Sequence, residues 1–330
     1  MPAFDHAFDW VRRHTIEGPL PTAVLGIATA DGIVALDAFD GRGGQTTSVD
    51  DHYPLFSITK PIVGLAALTL IEAGRLLPTT PLASAVPGFG TGRADEVQLR
   101  HLVSHTSGIV EPPMDTPGLR RLLLAPGRDF AAGTVSRYST IAFEGVAALI
   151  EHASGAPWEE RVVEVARRAD APGVTFDWTS SRHDPVGAAE QDIDWDRMKR
   201  LRHPGAGLFA TAADLLALGA ALLRDDGSVV SRLTVEAMRR PLTAGLPKLD
   251  PYPAERGQDW GFAWNLRHSA PGLLASDSYG HGGWAGTEFW ITPSLGICFV
   301  LLTNVGGGIG RLGLDADELH NAVAAAASAG

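Results

Sequence analysis

The run Ile62–Ile71, IVGLAALTLI, carries no charged side chain, and only Thr69 brings a hydroxyl. A helix that is apolar on every side is a buried helix. Pro61 lacks a backbone N–H and fits only the first helical turn, so the helix is expected to begin near Ser57, with Ser57 as its N-cap, and to end near Gly74. Upstream, Thr22–Phe39 reads as two strands joined at Asp31-Gly32, a hairpin signal. From about Val97 to Leu223, apolar positions recur at helical spacing in segments such as STIAFEGVAALIEHAS and TAADLLALGAALL, separated by Pro- and Gly-rich connectors. After Gly257 the pattern changes to strands. In WGFAWNLR, Trp260, Phe262, Trp264 and Leu266 alternate as on one half-buried strand. GTEFWITP and GICFVLLTN continue the strands around a PSLG turn, and DADELHNAVAAAASA closes the chain as a helix. This order predicts a sheet domain built from residues 1–95 and 245–330, with a helical domain inserted over 96–244.

At 330 residues the chain is long enough for a large core. A net charge of −11 argues against nucleic acid or an anionic membrane as partner. No apolar run approaches the ~20 residues of a membrane span. The start, MPAFDHAFDWVRRH, shows no basic segment followed by an apolar one, so no secretory leader is expected. The single cysteine, Cys298, sits in GICFVLL and reads as a core residue of a strand, with no intrachain disulfide. A cytoplasmic location is the expectation.

Lys60 stands at the mouth of the apolar helix, where an ammonium is costly without a partner or a task. Ser57 is three positions earlier, on the same face of the first turn, roughly 5–6 Å away by Cβ. A lysine desolvated beside the positive end of a helix can become neutral and accept a serine proton, whereas an arginine, with its pKa above ~12, cannot. Only three of the 27 basic residues are lysines (Lys60, Lys199, Lys248), so lysine at 60 is unusual in this chain. The bland alternative is a capping serine beside a snorkelling lysine.

Three other patterns carry less. GIGRLG (Gly308–Gly313) matches a dinucleotide fingerprint, but too little chain follows for the helix, strand and ribose-binding acid it requires, and it reads as a loop. His101 and His105 have the i, i+4 spacing of a metal pair, without the glutamate or third ligand of a zinc site. No Gly-x-Ser-x-Gly elbow is present. Tyr138 in VSRYSTIAF stands just before a helix, and His281, Gly282 and Gly283 open a strand in YGHGGWAGTEFW. Each is explicable alone as core packing or as a turn.

Taken in order, SITK, LVSHTSGI, YST, GAGLFATAADLL and HGG resemble the motifs of the serine β-lactamase and penicillin-binding-protein family, particularly its class C-related hydrolases, D-peptidases and esterases. The likeness extends over roughly residues 20 to 305. It implies the serine β-lactamase-like α+β fold, an antiparallel sheet flanked by terminal helices with a helical domain inserted, and an acyl-enzyme on Ser57, with Lys60 and Tyr138 moving protons. It also implies an oxyanion held by the backbone N–H groups of Ser57 and Trp284, and substrate contacts from Thr140, His281, Gly282 and Gly283. No metal or other cofactor is implied. The sequence departs from the family pattern at Thr140, where an asparagine is usual, and at His281, where a lysine faces substrate carboxylates. Both departures weaken recognition of a carboxylate-bearing peptide or penicillin. They favour a carboxylesterase acting on small or medium acyl esters over a β-lactamase or a D-aminopeptidase/amidase. A catalytically inert scaffold of the same fold is the alternative from another class. Oligomeric state is not legible.

Overall fold

The computed structural model describes residues 4–249, 251–252 and 254–329. Strands β1 (Thr22–Thr29) and β2 (Gly32–Asp40) form the N-terminal hairpin, turning at Ala30–Asp31, one position before the expected dipeptide. β3 (Tyr53–Pro54) and β4 (Phe209–Ala210) pair in a small separate ladder. β5 (Asp259–Trp260), β6 (Asn265–Leu266), β7 (Tyr279–Gly282), β8 (Glu288–Thr292) and β9 (Ile297–Thr303) complete one antiparallel sheet in the order β2-β1-β9-β8-β7-β6-β5. The sheet therefore joins the two ends of the chain through β1 and β9, which pair from Ala23↔Thr303 to Thr29↔Ile297. Both are buried along almost their whole length, so they read as continuous apolar runs.

The terminal helices Asp5–Arg12 and Ala316–Ser328 cover one face of the sheet, in a core that includes Trp290, Phe299 and Leu301. On the other face the helix Ala212–Arg224 lies across β1 and β9. Its Gly219 permits the approach, since a Cβ there would stand 2.5 Å from Cys298 Sγ. Cys298 is a buried strand residue. Beyond that helix, Thr59–Glu72 packs against Ala142–Ser154 and Trp158–Arg168 in the largest core. Truncating a fully buried residue such as Leu65 to alanine costs about 2–5 kcal/mol at sites of this kind. This core is continuous with the sheet, since it also takes in Val24, Phe289 and Cys298. Among the described residues no helix is long and apolar enough to cross a membrane.

Two local expectations are corrected. WGFAWNLR is not one strand but a tight hairpin, β5 and β6, closed by the Gly261 N–H donating to Trp264 O at 2.8 Å, with Ala263 in the left-handed region at φ 67°. The bend inserts into the core, where Ala263 N–H donates to Val103 O and Phe262 N–H to Met238 O. Trp260, Phe262, Trp264 and Leu266 are all buried on this account, so their alternation does not report one face of a strand. Second, Ser57 does not cap the helix. A 3₁₀ turn, Phe56–Ile58, precedes Thr59, and no side chain caps the helix start. Gly74 follows the far end with φ 68°, as a left-handed C-terminal residue should.

Candidate active site

The 3₁₀ turn fixes where Ser57 points. Phe56, immediately before it, has φ 45°, a conformation that costs a bulky residue on the order of 1–3 kcal/mol. Packing holds it there, with ring centroids 5.5 Å from Trp195 and 5.0 Å from Trp284. The Ser57 side chain is consequently turned onto Lys60, whose Nζ lies 3.0 Å from Ser57 Oγ.

Lys60 is fully buried. Its Nζ also donates to Gly205 O at 2.9 Å and to Thr140 Oγ1 at 3.3 Å. Burial lowers its pKa to about 7, with the negative charge of Glu111 acting in the opposite direction. Glu111 is a residue that sequence reading missed. Its carboxylate accepts from Ser139 Oγ at 2.9 Å, from Thr140 N at 2.8 Å and from Ile141 N at 3.3 Å. It thereby places an anion at the start of the helix Ala142–Ser154 and ties down the segment carrying Tyr138 and Thr140. Although Glu111 keeps contact with solvent, its oxygens lie under that segment. Desolvation raises its carboxyl pKa, opposed by the Ser139 hydroxyl and the Lys60 charge.

Tyr138 is brought to the same point. Lys60 Nζ stands 4.7 Å from its ring centroid, and its Oη has no hydrogen-bond partner among the described residues. Burial pushes the phenol well above its ordinary pKa, with the nearby Ser57 hydroxyl pulling slightly the other way. The resting phenol is therefore protonated and able to donate.

Three buried imidazoles surround the lysine. His105 Nδ1 accepts from Ser139 N at 3.1 Å, His203 Nδ1 accepts from Gly205 N at 2.9 Å, and His281 Nδ1 donates to Gly282 O at 2.7 Å. Burial, reinforced by the Lys60 charge, lowers His203 and His281 to about 3 and His105 well below its usual value. All three are neutral at physiological pH. His281 is packed against Tyr138 and Trp260, at ring distances of 6.0 and 5.4 Å, behind the cleft rather than in its lining. His101 does not join His105 on a common ligand; its Nδ1 accepts from Gln98 N and closes a capping box. Among the described residues no group of three or more His, Cys, Asp or Glu is arranged around a metal position. GIGRLG forms a short 3₁₀ turn, Ile309–Leu312.

The strand edge completes the arrangement. A Cβ on Gly283 would lie 2.0 Å from Thr287 Oγ1 and 2.5 Å from Leu55 O, so only glycine lets β7 come this close to the Ser57 turn. Trp284 follows directly. Neither the Ser57 nor the Trp284 amide donates to an acceptor among the described residues. Ser57, Tyr138, Thr140, Gly282, Gly283 and Trp284 all border one cleft of about 970 Å³. A hydroxyl on the cleft wall, a buried amine bonded to it, and two nearby amides without an acceptor among the described residues are the components that acyl transfer uses.

Fold and site together define a serine hydrolase. The chain belongs to the beta-lactamase family, which its residues 8–324 match. It is similar to Penicillin-binding protein 4 of Amycolatopsis lactamdurans, 26% identical over 343 residues that cover 93% of this chain and 87% of the relative. It is also similar to Esterase EstB of Burkholderia gladioli, 26% identical over 324 residues that cover 80% of each chain. Among solved structures, a penicillin-binding protein homolog from Caulobacter crescentus superposes with a TM-score of 0.78 at 20% identity, covering 99% of this chain and 98% of its own.

Proposed function

We propose that this enzyme hydrolyses carboxylic esters of small or medium acyl groups through an acyl-enzyme on Ser57. The observation that carries the reading is the 3.0 Å contact between Ser57 Oγ and a lysine whose pKa burial has brought to about 7. In the neutral form, the two amine protons of Lys60 satisfy Gly205 O and Thr140 Oγ1, and the lone pair is left for the Ser57 proton. Ser57 Oγ then bonds to the ester carbonyl carbon. The developing oxyanion is held by the Ser57 and Trp284 amides, each worth on the order of 10²–10³ in rate. The C–O bond to the alcohol breaks, and the leaving oxygen takes a proton from Tyr138 or Lys60. Water attacks the acyl carbon by the reverse sequence and frees Ser57.

The preference for esters over β-lactams and D-peptides rests on positions 140 and 281. Thr140 has no amide to offer an acyl-side carbonyl. Neutral His281, set behind Tyr138, presents no charge to a substrate carboxylate. The two relatives at equal identity, one a penicillin-binding protein and one an esterase, do not separate the readings. The test compares kcat/KM for p-nitrophenyl acetate, butyrate and octanoate with that for nitrocefin and a D-Ala-D-Ala peptide, with Ser57→Ala as control. Peptide mapping after fluorophosphonate treatment runs in parallel. Esters are expected to lead by about 10- to 150-fold, from loss of one charge-assisted bond of ~1.5–3 kcal/mol. The label is expected on Ser57. A β-lactam constant equal to the best ester constant would replace this reading with a β-lactamase; label elsewhere would remove Ser57 as nucleophile.

A further inference from the structure

The cleft does not end at Ser57. Because Gly282 carries no side chain, it continues past that residue to a second compartment on the sheet face covered by the C-terminal helix, bordered by Gln258, Asn265, Arg267, Glu288 and Asp317. The register explains the placement. Asn265 is paired with Gly280, and Glu288 with Gly282, so Asn265 of β6 and Glu288 of β8, the strands on either side of β7, project on the same side as the missing side chains of Gly280 and Gly282. A Cβ at Gly282 would meet the Glu288 carboxylate at 3.1 Å.

The polar groups here are buried and incompletely used. Gln258 and Asn265 are 3% and 5% exposed, and Asn265 Nδ2 donates to Gln258 Oε1 at 3.3 Å. Gln258 Nε2 and Asn265 Oδ1 have no partner among the described residues. Arg267, 2% exposed, spends its two terminal nitrogens on Asp317 and leaves Nε unpartnered. Buried polar atoms without partners cost about 1–3 kcal/mol each, so a ligand that satisfies them gains from doing so. The pattern does not depend on which way the two side-chain amides are turned. In either orientation one amide bonds the other, and one N–H donor and one carbonyl acceptor remain side by side.

We propose that this compartment binds an uncharged amide group carried by the substrate away from the scissile ester. An amide has the one carbonyl and one N–H that the pair requires. A carboxylate offers no donor for the free acceptor, and on the same walls Arg267 is already paired with Asp317, which leaves Arg256 against Glu255 and Asp315. An ammonium offers no acceptor for the free donors. The inference rests on the ester-hydrolase reading and narrows its substrate class to esters with a carboxamide-bearing arm.

The experiment uses p-nitrophenyl esters whose acyl chains, of graded length, end in methyl, carboxamide, carboxylate or ammonium. A second series carries the same ends on the alcohol of acetate esters. At the length that reaches the compartment, the carboxamide is expected to raise kcat/KM over the methyl-ended ester by about ten- to thirty-fold, the effect of two neutral hydrogen bonds. Gln258→Met and Asn265→Leu, checked for folding by circular dichroism, should bring that ratio to about one. Esters turned over with no carboxamide advantage in either series, a carboxylate or ammonium preferred instead, or a ratio unchanged in both variants overturns the compartment assignment. Failure to turn over any ester while β-lactams are hydrolysed overturns the ester reading.

Discussion

Lys60 Nζ lies 3.0 Å from Ser57 Oγ, and the amine is fully buried. Nζ also contacts Gly205 O, which can only accept, and Thr140 Oγ1. A guanidinium in the same place would keep its charge but have no lone pair. Lys60→Arg is therefore expected to lose activity on the order of 10²–10⁴-fold, as much as Lys60→Ala does. Near-native turnover in a folded Lys60→Arg enzyme would show that the cation, and not a base, is what the site needs.

The same contact sets the pH dependence. As the proposed base, Lys60 must be neutral, and burial brings its pKa to about 7, so kcat/KM should rise with pH through about 7. Glu111 raises the Lys60 pKa through its charge. In Glu111→Gln the acid limb should move to lower pH, while the amide side chain keeps an acceptor for Ser139 and Thr140. A pH–rate profile that loses amplitude without shifting its limb would mean that Glu111 acts only by holding the loop.

Gly283→Ala tests the strand contact. The new Cβ meets Leu55 O and Thr287 Oγ1, so β7 must retreat and carry the Trp284 amide with it. The expected result is a loss in kcat on the order of 10²–10³ with a smaller change in KM, the signature of a missing transition-state donor. Unchanged kcat in this variant would rule out the Trp284 amide as oxyanion donor.

The buried imidazoles should make the fold acid-sensitive. His203 has a folded pKa of about 3 against an ordinary 6.5. Between those values the unfolded chain binds a proton that the folded chain refuses, so stability falls as pH falls through this window. His203→Asn keeps an acceptor for the Gly205 N–H and does not titrate. Its Tm should decline less steeply with acid than that of the native enzyme. Parallel declines would locate the acid sensitivity at other groups.

Ser57 and Lys60 were legible because their relation is local, three residues on one helical turn. The apolar run behind them made the lysine's burial readable as well. The β1–β2 hairpin, β8, β9 and the C-terminal helix follow from period and turn residues in the same way, whereas the N-terminal helix Asp5–Arg12 was not read from its residues. Glu111 was not legible: it is a lone acid in HTSGIVEPP, and its meaning comes from Ser139–Ile141, 28 to 30 positions away. His105 and His203 had no visible role for the same reason, since each is defined by the backbone amide it accepts. The WGFAWNLR hairpin was misread because a turn buried on every side produces no contrast between faces. Position 281 carried a chemical expectation, neutrality, that the burial of its ring supports, but sequence gave no sign that the ring lies behind Tyr138.

Thr287 Oγ1 touches Leu55 O across 232 positions of chain. The two segments that carry the proposed oxyanion amides, around Ser57 and Trp284, are thus joined across most of the polypeptide, and closing so long a loop is among the slowest demands a topology makes on folding. Helical content and a compact core can form from local contacts without bringing these segments together. Turnover is then a stricter reporter of completed folding than any spectroscopic signal: in a refolding time course, catalytic activity should return only after the ellipticity has recovered.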